Sequence, residues 1–225
     1  MSQLLSKLQI IRHFLALASD TSQTERVFKI VDELNRLPEL QAKFPPVAAM
    51  AGFQRDPFCQ GFPSLAGLRA MPEGSLGRAL ALHMDELGVD FSAFDRKAEP
   101  EDALAWVDRH AYETHDIWHA LTGWGPGPAN EIGLQAFYLA QLRNIPALTL
   151  TTLGLARVFG TGGGDVGPIL EVIAHGWRQG QAARALFGVD WREHFERPLA
   201  EVRAEFGITP VVRAEFVEVA AGLAA

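Results

Sequence analysis

The run Gly123-Trp124-Gly125-Pro126-Gly127-Pro128 constrains this chain more than any other stretch. Proline lacks a backbone N–H and fixes φ near −65°, while glycine lacks the side chain that biases a residue toward regular structure. Neither a helix nor a strand runs through such a sequence, so the chain must turn there. Apolar residues recur at helical spacing on both sides. One helical pattern covers Ala103 to Leu121, with a break expected near Ala111, and the other covers Ala129 to Arg143. Helices joined by a short loop fold back as antiparallel neighbours, with Pro128 suited to the start of the second arm.

The same period runs through the rest of the chain. Leu4, Leu8, Ile11, Phe14, Leu15 and Ala18 form one stripe, with Lys7 and Arg12 turned away. Val27, Ile30, Val31 and Leu34 form a second, with cap residues at Asp20 to Ser22 and a stop at Pro38. Lys43 to Gly67 is rich in proline and glycine and is expected to be irregular. Ser75 is placed to cap a helix that Gly88 ends after Leu87. Further helices are expected over Pro146 to Phe159, Pro168 to Leu186 and Trp191 to Phe206, with a glycine loop over Gly160 to Gly164 and a last segment from Val211. There is no β alternation, no internal repeat and no polar linker. The expected fold is all-α: one domain over residues 1–225, a helical bundle containing a metal-binding hairpin.

Charge and cysteine content exclude several function classes. Lys plus Arg total 20 against 27 Asp plus Glu, a net charge of −7, which disfavours nucleic acid as a partner. Cys59 is the sole cysteine, so no internal disulfide forms and a reducing compartment is compatible. Leu4 to Leu17 is interrupted by Lys7, Gln9, Arg12 and His13, unlike a secretory signal. No stretch reaches the ~20 apolar residues of a membrane span.

The chemistry gathers at the hairpin. At about 100° per residue, His119 lies about 40° around the helix from His115 and Asp116 about 100° from it. His119 is one turn before Gly123, and Glu131 falls in the first turn after Pro128, so facing arms direct both to one place. Imidazole nitrogen and carboxylate oxygen suit a divalent ion of borderline hardness. His115, Asp116, His119 and Glu131 are therefore the candidate metal ligands and, through the ion, the candidate catalytic residues. Gln135, one turn beyond Glu131, is placed to hydrogen-bond to a ligand rather than to the ion. A histidine pair four apart is commonly surface or packing decoration. The adjacent Asp and the Glu across the turn shift the balance, because four such groups brought together without an ion are costly to bury. His110 reads as structural, and His13, His83, His175 and His194 as ordinary helix-surface or packing residues. Gly162-Gly163-Gly164-Asp165 lacks the Lys and Ser or Thr of a phosphate loop.

The spacing His115-Asp116-x-x-His119, eleven residues, then Glu131 resembles the signature of the fourth ubiquinone (coenzyme Q) biosynthesis protein family, the "COQ-four" family. The segment Leu68 to Ala81, with its Pro-Glu-Gly-Ser-Leu-Gly-Arg core, is similar to the family's region ahead of the motif. Gly176-Trp177-Arg178-Gln179-Gly180, Val189-Asp190-Trp191, Pro198 to Arg203 and Gly207-Ile208 are similar to its carboxyl-terminal region. The resemblance implies an all-helical fold, a divalent metal commonly taken as zinc, and an isoprenoid lipid between helices. It implies contact with a membrane surface and with other quinone-biosynthesis proteins. The implied activity replaces the C1 carboxylate of a polyprenylated 4-hydroxybenzoate-type ring by hydroxyl, an oxidative decarboxylation; an older view of the family is a scaffold. The four family ligands fall on His115, Asp116, His119 and Glu131. The chain shows no mitochondrial leader, which points to a bacterial protein at the cytoplasmic face of the inner membrane.

Alternatives remain open at this level. Iron or another divalent ion would use the same donors. A non-catalytic lipid-binding scaffold would keep metal and lipid as structural parts. A metal-dependent hydrolase would use a His-Asp pair on a helix, although Asp116 is one methylene shorter than the glutamate of zinc proteases. Ile145 to Val158, Leu4 to Leu17 and Phe137 to Leu142 offer apolar surface for an isoprenoid or for one another, and the first helix suits a membrane or a homodimer contact.

Overall fold

A computed structural model of the chain describes residues 2–19, 25–35, 37, 62–89, 109–160 and 166–212. The expected caps at Asp20 to Ser22, Pro38, Cys59, most of Lys43 to Gly67, residues 103–108, glycines 162–164 with Asp165, and the chain beyond 212 lie outside the described residues. The helices are α1 (Ser2–Ser19), α2 (Glu25–Asn35), α3 (Leu65–Arg69), α4 (Leu76–Leu87), α5 (His115–Thr122), α6 (Pro128–Leu142), α7 (Ile145–Gly160), α8 (Gly167–Ala182) and α9 (Leu199–Phe206), with a 3-10 turn at Trp191–Glu193. Among the described residues there is no β-strand, only an isolated antiparallel bridge between Ser75 and Pro198. None of the described helices is long and apolar enough to cross a membrane. The all-α class expected from periodicity is the fold observed.

Close contacts gather into two compact units. One comprises Met1–Pro46, Gly127–Gln181 and Ala214–Ala225, the other Val47–Pro126 and Ala182–Arg213. Each is assembled from segments distant in sequence, so neither can be cut out as one stretch.

In the first unit α1 packs on α2 and α7, α2 packs on α7, and α6 packs on α7. Helix α6 is buried along most of its length, from Ala129 to Leu142. Glycines bring its neighbours close. Ile132 of α6 fills the space a Cβ would take at Gly154 of α7. Gly176 and Gly180 of α8, four residues apart on one face, meet the Gly133 and Phe137 carbonyls of α6. The Gln141 amide closes the same seam by donating to the Gly180 carbonyl at 2.7 Å.

In the second unit α4 packs on α3 and α5, and α9 packs on both α4 and α5. The first N–H groups of a helix have no partner inside it. At α4 they are all satisfied: Leu76 donates to the Arg197 carbonyl at 3.0 Å, Gly77 to Phe195 at 2.8 Å and Ala79 to Ser75 at 3.0 Å. Arg78 donates to the Ser75 hydroxyl at 3.2 Å, so the serine cap read from the sequence is present. Gly88 ends the helix in a left-handed conformation at φ 69°. Ser75→Ala is expected to cost about 1 kcal/mol, read as a lower urea midpoint with an unchanged m-value.

Three expected elements differ. Trp191 to Phe206 is not one helix: the 3-10 turn stops at Glu193, and α9 starts after Pro198, which has no N–H to continue a helix and disfavours helical geometry at Arg197. Helix α8 ends at Ala182 rather than Leu186, where the Arg184 N–H leaves the helical ladder for the Phe206 carbonyl at 2.9 Å. The end of the expected irregular stretch holds α3, whose Ser64 side chain accepts from Gly67. The break expected near Ala111 falls at Thr114, a turn residue whose hydroxyl donates back to the His110 carbonyl at 2.9 Å.

Candidate metal centre

Helix α5 carries three of the candidate ligands, and its end is tightly fixed. Gly123 ends it with φ 83°, a left-handed geometry natural to glycine. A Cβ there would sit 2.9 Å from the Val211 N, because the chain at 210–211 crosses directly over the turn. Val211 donates to the Thr122 carbonyl at 2.9 Å. Arg203 of α9 donates to the Leu121 and Ala120 carbonyls at 2.8 and 3.0 Å, placing a cation at the negative end of α5.

Glycine and proline let the chain after α5 bring the Trp124 carbonyl back to His119. The Nδ1 of His119 lies 2.7 Å from that oxygen. A carbonyl only accepts, so Nδ1 carries the proton and Nε2 of the neutral ring keeps its lone pair. Nε2 of His119 in turn faces Nε2 of His115 at 3.1 Å. The two rings meet edge to face, with centroids 4.6 Å apart at 88°. Two imidazole nitrogens each about 2.0–2.1 Å from one ion stand roughly 3 Å apart at tetrahedral or octahedral angles, so the pair fits a shared divalent ion.

Asp116 is brought to His83, which spacing alone marks as an ordinary packing histidine. Its Oδ1 lies 3.3 Å from Nε2 of His83 on α4. His83 is buried, and its ring stacks on His119 with centroids 4.7 Å apart and planes at 22°. Burial pushes the Asp116 carboxyl up. Contact with His83 and the neighbouring imidazoles of His115, His83 and His119 outweigh it, holding the group below its ordinary range as a carboxylate. The signal for His83 was present in the sequence: it stands on the α4 face of Leu76, Leu80 and Met84, where the helical period calls for an apolar residue. A cavity of about 530 Å³ in this unit reaches His83 and His119 past Leu82, Leu199 and Pro210.

Glu131 belongs to the first unit, in the first turn of α6, where its N–H donates to Gly127 at 2.9 Å. The Gln135 amide donates to its Oε1 at 2.7 Å.

His110 has the structural role expected of it. Its Nε2 accepts from the Gly188 N–H at 3.2 Å, and its ring packs edge-on against Phe187. Burial lowers its pKa to about 4. The unfolded chain, titrating near the ordinary value of about 6.5, binds the extra proton between those two pH values. Stability from this group is thus complete above pH ~6.5 and falls by about 3 kcal/mol as pH drops toward 4. His110→Gln, which keeps an acceptor for Gly188, is expected to flatten that part of a pH–stability curve measured by urea unfolding.

The family described as coenzyme Q (ubiquinone) biosynthesis protein Coq4 matches residues 61–212. The chain belongs to the Coq4 family. The match takes in α3 to α9, including every candidate ligand. Among Coq4 relatives, a mitochondrial ubiquinone biosynthesis protein of Talaromyces stipitatus is 31% identical over 143 residues, 63% of this chain and 48% of that protein. The homologue from Bos taurus is 33% identical over 152 residues, 66% of this chain and 56% of its own. The chain spans about half the length of the first such relatives. A crystal structure from Nostoc punctiforme, provisionally described as a ubiquinone biosynthesis protein, shares the fold with a TM-score of 0.67. It is 24% identical, with 89% of this chain and 97% of that one covered.

Proposed function

We infer that the chain acts in ubiquinone biosynthesis as a metal-dependent enzyme, with His115, His119, Asp116 and Glu131 holding a divalent ion. The observation that carries this reading is the pair of Nε2 atoms 3.1 Å apart, one fixed in its ligand tautomer by the Trp124 carbonyl. A neutral pair facing at that distance shares at most one proton between two lone pairs, and an ion satisfies both. The donor type of His115, His119 and Glu131 is nitrogen and oxygen throughout, which suits zinc first and iron or another divalent ion next. Connectivity supports Glu131 as a member: it follows Gly127 by one turn, as His119 precedes Gly123 by one turn.

The reaction that fits best is replacement of the C1 carboxylate of a polyprenylated 4-hydroxybenzoate-type ring by hydroxyl. Carbon dioxide leaves, one oxygen atom enters, and two electrons pass to an oxidant, for which dioxygen serves. Bound metal would supply Lewis acidity toward the anionic oxygens of the ring. The chain's own part is to orient the ligands and hold them still. Trp124 fixes the His119 ring, His83 lies against one oxygen of Asp116, and Gln135 holds one oxygen of Glu131. The cavity reaching His83 and His119 provides room for a ring, and the apolar helices α1 and α7 suit an isoprenoid tail or a membrane surface. Association with other quinone-biosynthesis proteins belongs to the same reading, as does a peripheral position at a bacterial inner membrane.

The test is turnover of the C1-carboxylated, prenylated precursor by the metal-loaded full chain. Wild type is expected to release carbon dioxide and the hydroxylated ring, and His115→Ala and Glu131→Ala to lose this. Full turnover by metal-free variants would overturn the enzyme reading. Metal and lipid binding without turnover would favour the scaffold, and phosphatase or peptidase activity the hydrolase.

A further inference from the structure

Binding of an ion by the four candidate ligands does not account for the buried His83. It stands 32 residues before His115 in sequence, on a different helix, and touches two members of the candidate ligand set at once. Its Nε2 lies 3.3 Å from Asp116 Oδ1, and its ring face lies on the His119 ring. With the Trp124 carbonyl at Nδ1 and His115 at the edge, the His119 imidazole is held on three sides. The Asp116 carboxylate therefore has His83 against one of its oxygens, 3.3 Å away.

We propose that His83 is a positioning residue of the metal centre, orienting the Asp116 carboxylate and the His119 ring so that the site is formed before the ion arrives. Partners that fix metal-ligating side chains typically contribute tenfold to a hundredfold in affinity, which separates such a role from simple packing. The proposal rests on the metal reading and adds to it a histidine outside the ligand motif, with no ligand spacing of its own. Its two contacts are chemically different and separable. Stacking on His119 needs a flat ring, whereas the contact with Asp116 needs an N–H.

The experiment uses the full chain freed of metal and titrated with Co²⁺, whose visible spectrum reports the ligand set. His83→Phe keeps the ring and removes the N–H; His83→Gln keeps an N–H near the position of Nε2. The phenylalanine variant is expected to keep the metal-free unfolding midpoint near wild type, to bind Co²⁺ roughly tenfold to a hundredfold more weakly, and to show altered ligand-field bands. The glutamine variant is expected to recover affinity in part. In an Asp116→Asn background His83→Phe should add little, because its effect passes through that carboxylate. If the phenylalanine variant does not fold, His83→Leu, which removes ring and N–H together, replaces it: Co²⁺ binding is expected to weaken at least as much, with the share owed to the lost stacking remaining in the Asp116→Asn background. Wild-type affinity and spectrum in the ring-only variant would overturn the proposal, as would equal weakening by His83→Phe with and without Asp116. Wild-type protein that binds no Co²⁺ would overturn the metal reading itself, a different result from either.

Discussion

Gly176→Ala is expected to cost on the order of 4 kcal/mol or more, among the largest losses a single methyl group can cause. The added Cβ would stand 2.0 Å from the Gly133 carbonyl oxygen and 3.2 Å from the Ala136 Cβ. Both belong to the facing helix, and the closest atom is backbone, so no side-chain rotation relieves the clash. Helices α6 and α8 would have to separate. That opens the Gln141 bond to Gly180 and the packing at Gly180, where a Cβ would already meet the Phe137 carbonyl at 2.7 Å. For a chain of this size the loss corresponds to a fall of roughly 8–16 °C in the unfolding midpoint. Calorimetry on the purified variant checks it. By contrast Gly74→Ala, with nothing within 4 Å of the added Cβ, should lose only the smaller cost of its positive φ of 78°. Equal midpoints for Gly176→Ala and wild type would mean that the helices do not approach as closely as described.

Loss of His119 is expected to have the largest effect on the site. His119→Gln removes the Nε2 donor that faces His115 and the ring that His83 stacks on. Metal bound after dialysis should fall from about one equivalent to nearly none, with affinity reduced beyond roughly a hundredfold. Glu131→Gln should weaken binding as well, since it exchanges an anionic oxygen for a neutral amide, and it should do so without disturbing the His119 ring. Gln135→Ala should be milder, removing only the 2.7 Å bond that steadies Glu131. Elemental analysis of protein purified without a metal-affinity column orders the three. A His119→Gln variant that retains a full equivalent would show that the ion binds elsewhere.

Local signals in the sequence read well. Ser75 acts through its hydroxyl on the first turn after it, Gly88 and Pro128 through their own backbone, and each begins or ends a helix where its chemistry requires. Pro198 carried the same kind of signal and was overridden by the apolar period on both sides, so two elements were read as one helix. The candidate ligands could be picked out where they lie on one helix or one turn from the bend: His115, Asp116, His119 and Glu131, with Gln135 beyond Glu131. His83 stood out only as a polar residue on the apolar face of α4; its contact with Asp116 comes from the pairing of α4 with α5, a tertiary fact that no spacing encodes. Gly176 and Gly180 stood out as a pattern, but their reason is a carbonyl on another helix. The function of the turn was also hidden. Its glycines and prolines announce a bend, whereas its chemical product is one carbonyl aimed at Nδ1 of His119.

The central claim is that two imidazoles and carboxylate oxygens bind one divalent ion. X-ray absorption at the edge of the metal in stoichiometrically loaded, full-length protein tests it most directly. The account predicts an all-nitrogen and oxygen shell at about 2.0–2.1 Å if the ion is zinc, with the outer scattering of two imidazole rings, one of which disappears in His119→Gln. An oxygen-only shell without imidazole scattering, or a spectrum unchanged by that substitution, would contradict it.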